Sequence, residues 1–178
     1  MKETPQNYTL LKSFEFATPL GPMIAISDED SLYFLGFVDT RNINRAIEKL
    51  KISLNAHIVP SKTKIHSLTE DQLKAYFEGK LTGFTIPFKL IGTEFQKLVW
   101  QELLHVEYGK TSSYSAQSSK INHPLAYRAV ANANGCNPLS IIVPCHRIIN
   151  SNGQLGGYNS GLEKKIWLLE HEKKYSAS

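Results

Sequence analysis

The spacing of apolar residues changes along this chain of 178 residues, and that change limits the folds it can adopt. Before residue 40, short apolar segments alternate with polar residues and are separated by turn residues rich in Pro, Gly and Asp. Such short alternating segments between turns are typical of β-strands. The pattern predicts three strands, at residues 12–17, 23–27 and 32–38.

Helical spacing dominates the rest of the chain. Apolar residues three and four positions apart predict helices over residues 41–51 and 67–78. Residues 80–90 contain a glycine and a proline without a regular period, so we expect them to connect two domains. The predicted domains are an N-terminal α/β domain of residues 1–88 and a mainly helical C-terminal domain of residues 89–178.

The C-terminal half carries clear helix-start signals. Thr93 followed by Gln96 matches a capping box, which satisfies free backbone N–H groups at a helix N-terminus. Two short helices joined by residues 122–124 match a helix-turn-helix, a pattern common in DNA-binding proteins but not specific to them. The helices expected here are residues 113–121 with Ser113 as cap, residues 125–134 with Pro124 in the first turn, and a last helix capped by Ser160 and Glu163.

Charge is unevenly distributed between the two halves. Residues 1–85 hold 10 basic and 10 acidic residues, whereas residues 86–178 hold 10 basic and 6 acidic ones. A basic half suits a polyanionic partner such as nucleic acid, although a solvated basic surface explains the charge equally well. No apolar run approaches the roughly 20 residues of a membrane span, and the N-terminus lacks a signal-peptide core. We therefore expect a cytoplasmic protein with no membrane partner.

The candidate for chemistry is Cys145, which ends the apolar run of residues 141–144 and precedes His146 and Arg147. A cysteine reacts as its thiolate, so it needs a neighbouring base or positive charge at neutral pH. His146 and Arg147 are candidates for that role, but successive strand residues point to opposite faces, so the chain must bend there. On residue type alone, a buried unreactive cysteine is the more common situation.

The wider motif set resembles the O6-alkylguanine-DNA alkyltransferases and favours a reactive Cys145. The resemblance covers nearly the whole chain and is densest over residues 92–172. The matching segments are Thr18-Pro19-Leu20-Gly21, Gln72 to Gly79, Gly92-Thr93-Glu94-Phe95-Gln96, Tyr108-Gly109-Lys110-Thr111, Arg128-Ala129-Val130, Asn137-Pro138, Pro144-Cys145-His146-Arg147, Gly156-Gly157-Tyr158 and Trp167 to Glu172. The resemblance implies an α+β fold, with an RNase H-like N-terminal domain and a winged helix-turn-helix-like C-terminal domain.

The resemblance also implies the reaction. Members of this family move an alkyl group from O6 of guanine to one cysteine, without a cofactor, and are consumed in doing so. By resemblance Cys145 is the acceptor, His146 is the base that acts through a water, and Glu172 orients His146. Tyr114 matches the tyrosine that donates a proton to the leaving guanine. No metal site is expected, and Cys136 is assigned a structural role.

The same resemblance implies how the substrate is held. The partner is double-stranded DNA containing O6-alkylguanine, bound through its minor groove, and O4-alkylthymine is a further candidate substrate. The protein is expected to be a monomer that could bind DNA cooperatively. Arg128 enters the base stack in place of the rotated nucleotide. The remaining assignments are Asn137 as support of the site, Ala126, Ala129, Ser113, Ser115 and Ser151 on the DNA surface, and Tyr158, Gly156, Gly157, Val143, Pro144 and Asn159 in the substrate pocket.

Three other functions remain compatible with parts of the sequence. A recognition module would bind alkylated DNA without reacting, but relatives of that kind lack the acceptor cysteine. A Cys–His hydrolase would turn over an ester or amide and gives no reason for Arg128. A transcription factor would be a dimer that reads the major groove. The chain departs from many relatives at Asn159-Ser160, where a small residue and glycine are usual, which is expected to narrow the pocket.

Overall fold

The computed structural model describes residues 8–176, and the N-terminal part is a four-stranded sheet with two helices. The sheet order is β3-β2-β1-β4, with antiparallel pairing except between β1 and β4, which are parallel. The elements are β1 (Thr9–Phe16), β2 (Met23–Ser27), β3 (Leu32–Phe37), α1 (Ile43–Leu54), β4 (Ala56–Pro60) and α2 (Lys64–Phe77). The three predicted strands and both predicted helices are confirmed.

Strand β4 was not predicted from the sequence. Of its five residues only Ala56 is buried, and the strand ends in a proline. Such a short edge strand shows no apolar alternation, because its position depends on parallel pairing with β1 after α1 has crossed over the sheet. Strand β4 is therefore determined by tertiary pairing and not by a pattern in its own residues.

Helix α2 begins three residues earlier than predicted. The Thr63 hydroxyl accepts from the His66 backbone N–H at 3.1 Å, and His66 Nδ1 accepts from the Thr63 N–H at 3.1 Å. A histidine therefore occupies the capping-box position that Glu or Gln usually fills. The predicted start at Ser67 is wrong because histidine is not a recognised sequence signal for this cap.

The C-terminal part is mainly helical, and its elements surround a short two-stranded parallel sheet. They are α3 (Glu94–Leu103), β5 (Ser112–Ser113), α4 (Tyr114–Lys120), α5 (Tyr127–Gly135), a 3₁₀ turn (Cys145–Arg147), β6 (Ile148–Ile149) and α6 (Leu162–Ser176). The Thr93–Gln96 capping box is confirmed, with hydrogen bonds of 3.0 and 3.2 Å. The Ser113 hydroxyl caps α4 as predicted, accepting from the Ala116 N–H at 3.1 Å.

Two predicted helix starts are wrong. Pro124 lies in the turn before α5, which begins at Tyr127. The last helix begins at Leu162 rather than at Ser160, because Gly161 has a φ of +98° and interrupts the helical backbone. The Ser160 hydroxyl instead lies 2.7 Å from the Thr40 hydroxyl. Ser160 therefore links the two halves of the chain, and it does not cap the last helix as predicted.

The segment that leads to Cys145 is attached to the edge of the N-terminal sheet. The Leu35 N–H donates to the Pro138 carbonyl at 2.8 Å, and the Ser140 N–H donates to the Leu35 carbonyl at 2.9 Å. One hydrophobic cluster runs through both halves, from Leu35 and Phe37 of β3 to Trp100 of α3. The N-terminal sheet therefore supports the segment that carries the candidate nucleophile.

The α+β fold with a sheet domain and a helical domain is confirmed, whereas the boundary between residues 88 and 89 stays a prediction. Within residues 8–176, no helix is both long enough and apolar enough to cross a membrane. In the same residues, no group of three or more His, Cys, Asp or Glu side chains is placed to hold a metal ion.

Candidate active site

Cys145 begins the 3₁₀ turn and is partly exposed, and Asn137 holds it. The Asn137 side-chain amide donates to Cys145 Sγ at 3.2 Å and to the Val143 carbonyl at 2.7 Å. Its carbonyl oxygen accepts from the Leu139 N–H at 3.0 Å. Burial raises the pKa of the Cys145 thiol, while the Asn137 hydrogen bond and the charge of Lys165 lower it. Asn137 therefore both braces the turn and contacts the sulfur.

His146 is fully buried behind Cys145, and the 3₁₀ turn supplies the chain bend that the sequence required. Its Nε2 lies 2.7 Å from Glu172 Oε1. Burial lowers the pKa of His146, although Glu172 opposes that change, so the ring is neutral at pH 7. A neutral ring donates Nε2–H to the carboxylate and leaves an unprotonated Nδ1. That Nδ1 has no hydrogen-bond partner among the described residues.

Glu172 is fully buried and accepts five hydrogen bonds. Oε1 lies 2.7 Å from His146 Nε2 and accepts from the Tyr76 hydroxyl at 2.8 Å and from Arg147 Nη2 at 3.0 Å. Oε2 accepts from Arg147 Nε at 2.8 Å and from the Gly109 N–H at 3.2 Å. Burial would raise the pKa of Glu172, but the bonds from His146 and Arg147 outweigh it and hold the carboxyl ionised.

Arg147 does not activate the thiol, contrary to one alternative from the sequence. Its guanidinium pairs with Glu172 and donates to the Val106 carbonyl at 2.6 Å. It is the counter-charge of the buried carboxylate. Sequence inspection also missed Tyr76, which comes from α2 of the N-terminal half, because nothing local distinguishes it from a core aromatic residue.

We expect Tyr76→Phe to lower the stability of the protein and to shift the pH dependence of alkyl transfer without abolishing the reaction. The change deletes one hydrogen bond to a buried carboxylate, which costs about 1.5–3 kcal/mol of unfolding free energy. Glu172 then interacts more strongly with His146, so the acid limb of the pH–rate profile for alkyl transfer moves to higher pH. Single-turnover rates between pH 5 and 8 measure this shift. The control is Tyr33→Phe, which removes a 2.7 Å hydrogen bond to the carboxylate of Asp28 far from the site. Equal pH profiles for the two variants would contradict the prediction.

Lys165 is a buried cation that the sequence analysis did not single out. Its Nζ is fully buried and donates to the carbonyls of Ile148 at 2.6 Å and Gly157 at 3.1 Å. It lies 5.9 Å from the centre of the Tyr114 ring. Burial lowers the pKa of Lys165 to about 8, opposed by Cys145. The ammonium remains mostly charged at pH 7 and favours the Cys145 thiolate.

We expect Lys165→Met to slow alkyl transfer about tenfold at pH 7, because losing the nearby charge raises the pKa of Cys145 by about one unit. The deficit should shrink as the pH rises toward 9, because burial lowers the pKa of Lys165 to about 8 and the wild type then loses the same charge. Single-turnover rates as a function of pH test this, with exposed Lys173→Met as the control. A deficit that stays constant across this pH range would indicate a purely structural role.

Tyr114 and the loop of residues 156–159 lie against each other. Gly156 has a φ of +70°, and a Cβ there would lie 2.9 Å from the Tyr114 hydroxyl, so this position requires glycine. Burial raises the pKa of Tyr114, as does the nearby Cys145, so the phenol stays protonated. The Tyr158 hydroxyl is buried without a partner among the described residues, and burial raises the pKa of Tyr158 as well.

Cys145 opens into a groove of about 910 Å³ between the two halves of the chain. Tyr158 and Asn159 line it, as predicted for a substrate pocket, whereas Val143, Pro144 and the two glycines before Tyr158 do not. Val143 is fully buried and contributes through its carbonyl. Cys136 is exposed and lines the same groove, and the structural role assigned to it stays a prediction.

The residues assigned to DNA lie on the helix-turn-helix surface. Arg128 and Ala129 are exposed on α5, and Ala126 precedes its first turn. The Ser115 hydroxyl lies 2.7 Å from that of Ser151 and 3.1 Å from that of Ser113, so these three form one cluster. Sequence inspection did not single out Leu125 and Tyr127, which expose 91% and 46% of their surface beside Arg128.

A thiol in front of a buried His–Glu pair, on a helix-turn-helix domain, defines a protein that combines DNA binding with cysteine chemistry. Residues 94–174 match the family model for the 6-O-methylguanine DNA methyltransferase DNA-binding domain. Residues 8–90 match the model for the ribonuclease-like domain of the same family. The chain belongs to the 6-O-methylguanine DNA methyltransferase family.

Curated relatives and solved structures agree with this assignment. The chain is 40% identical over 157 residues to a methylated-DNA--protein-cysteine methyltransferase of Methanosarcina acetivorans, covering 88% of this chain and 95% of that protein. It is 55% identical over 102 residues to the methylated-DNA--protein-cysteine methyltransferase of Mycobacterium leprae, covering 57% of this chain and 62% of that protein. A crystal structure of Mycobacterium tuberculosis OGT in complex with DNA superposes with a TM-score of 0.80 at 37% identity, covering 94% of each chain.

Proposed function

We propose that this protein repairs DNA by direct reversal, moving an alkyl group from O6 of guanine to Cys145 in one irreversible step. The observation that carries the proposal is the Cys145 thiol, which faces a groove while a buried His146–Glu172 pair lies behind it. The relatives named methylated-DNA--protein-cysteine methyltransferase support the same reaction. No cofactor takes part in the proposed step.

The thiol first loses its proton to Nδ1 of His146 through a water, and the Glu172 carboxylate stabilises the resulting imidazolium. The thiolate electron pair then forms the S–C bond while the bond between carbon and O6 breaks. Tyr114 donates a proton to the leaving guanine, and the proton held by His146 returns through solvent to the phenolate. The thioether on Cys145 is no longer a nucleophile, so each molecule reacts once.

Access to the lesion requires the nucleotide to leave the helix, because O6 of guanine is paired inside the duplex. We propose that α5 lies in the minor groove and that Arg128 fills the space left in the base stack, where its planar cation suits stacking. Ala126 and Ala129 allow the helix to approach closely, and the serine cluster contacts the backbone. Tyr158 and Asn159 border the base, with Asn159 restricting bulky alkyl groups.

The test is intact-protein mass spectrometry after incubation with a duplex that contains one O6-methylguanine, followed by peptide mapping. The expected result is one added methyl group on Cys145 for each lesion lost. An unmodified protein that retains lesion binding would contradict transfer and indicate a recognition module. Turnover of a chromogenic ester with no lasting modification would indicate a hydrolase. Sedimentation on DNA of increasing length measures the predicted monomeric state and cooperativity.

A further inference from the structure

The groove that holds Cys145 has a second wall, formed by α1 and the turn before it. Arg41, Arg45 and Lys49 line this wall. The wall is attached to the end of the loop that carries Tyr158 and Asn159, because the Thr40 hydroxyl lies 2.7 Å from that of Ser160. An ion pair of 2.7 Å between Asp39 and Lys164 links the same turn to α6. The three cations are therefore held beside the pocket.

Among the described residues, these cations have no acidic partner. All three side chains are exposed, and within residues 8–176 none of them forms an ion pair or a side-chain hydrogen bond. The described residues that line the groove include no aspartate or glutamate. The one glutamate of α1, Glu48, pairs with Lys51 at 2.9 Å instead. The groove wall is thus positively charged without compensation.

The arrangement is unfavourable for α1 itself. Arg45 and Lys49 are four residues apart, a spacing at which like charges destabilise a helix. Arg45 also lies in the first turn of α1, where the helix dipole disfavours a cation, and no acidic residue is present in that turn. Glu48 lies three residues after Arg45, but it pairs with Lys51, so an anionic ligand would supply a partner that Arg45 and Lys49 lack within residues 8–176.

The spacing of the cations indicates an extended ligand. Arg45 and Lys49 are about 6 Å apart along the helix axis, close to the separation of neighbouring phosphates in a nucleic-acid strand. A small anion would need cations that converge on one point, whereas these extend from the turn before α1, which carries Arg41, to Lys49 in its second turn. The groove must also admit a nucleotide whose base reaches Cys145, and that nucleotide keeps both of its phosphates.

We infer that α1 binds the phosphates of the damaged strand next to the rotated nucleotide, as a second DNA contact across the groove from α5. This inference rests on the proposed function. In the complex, Arg45 and Lys49 pair with successive phosphates, and Arg41 lies beside the attached loop. The helix-turn-helix holds the duplex, while α1 holds the backbone of the damaged strand beside the one nucleotide that has left the helix.

The test compares Arg45→Ala/Lys49→Ala with Lys51→Ala, a control on the same helix outside the groove. Single-turnover methyl transfer to Cys145 is measured against the concentration of a duplex containing O6-methylguanine. In the double variant, the half-saturating concentration should rise about tenfold. The slope of log affinity against log salt concentration should become shallower by about 1.8, which is 0.9 for each lost phosphate contact. The maximal rate constant should stay within twofold, and the control should match the wild type.

Three results would overturn the inference. They are an unchanged half-saturating concentration and salt dependence, a lower maximal rate with unchanged half-saturation, or a lower melting temperature of the double variant. The last would show that the side chains have structural partners, because relief of repulsion should leave stability equal or higher. If the wild type fails to acquire a methyl group on Cys145, the proposed function itself fails, which is a separate result.

Discussion

Replacing Cys145 with serine should abolish alkyl transfer while leaving DNA affinity unchanged. A serine hydroxyl has a far higher pKa than a thiol, and the neutral His146 cannot remove its proton to a useful extent. We expect the single-turnover rate to fall by roughly 10⁴-fold or more, as when an essential nucleophile is removed. The hydroxyl fits the same space and can still accept from Asn137, so the 3₁₀ turn should persist. Gel-based repair assays and binding isotherms on the same duplex measure the two properties separately.

The matched control is Cys136→Ser, which makes the same chemical change at the other cysteine. Cys136 is exposed and lies at the end of α5 in the same groove, but it has no histidine behind it. We expect this variant to repair DNA at the wild-type rate. If Cys136→Ser loses activity and Cys145→Ser keeps it, the acceptor has been assigned to the wrong residue.

Local sequence signals were sufficient for much of the fold. The Thr93–Gln96 capping box and the Ser113 cap depend on contacts within three residues, so both could be predicted. The strands of the antiparallel meander, β1 to β3, follow one another with short turns, and their pattern is also local. The resemblance then placed Cys145, His146 and Glu172 together in one site, where the structure brings the histidine and the carboxylate within 2.7 Å.

The features that were missed depend on distant parts of the chain. Strand β4 is defined by its pairing with β1, in which Thr9 lies opposite Ala56, 47 residues later in the chain. Tyr76 reaches a carboxylate 96 residues later in the chain. In the sequence, Lys165 cannot be distinguished from a surface lysine. In the structure it is buried, and its Nζ donates to the carbonyls of residues 148 and 157. Burial of polar groups is decided by tertiary packing, and sequence periodicity does not report it.

Replacing Glu172 with glutamine should both destabilise the protein and slow transfer. The buried Arg147 guanidinium would lose its counter-charge. The amide nitrogen of glutamine is a donor, so it would face N–H groups that now donate to the carboxylate. Removing one partner of a buried ion pair costs about 3–5 kcal/mol of unfolding free energy. The imidazolium of His146 would also lose its stabilising charge, so the transfer rate should fall by about 100-fold. Urea denaturation and single-turnover repair assays measure these effects.

The control is Glu170→Gln, the same substitution at an exposed position of α6. It should change the unfolding free energy by less than about 0.5 kcal/mol. The folded-state pKa of Glu172 is depressed, so its contribution to stability is present above the unfolded pKa of about 4.3 and is lost as the pH falls below that value. The difference between wild type and Glu172→Gln should therefore be full at pH 7 and shrink below pH of about 4. A difference that is small at pH 7, or that grows in acid, would show that the carboxylate is not held ionised by His146 and Arg147.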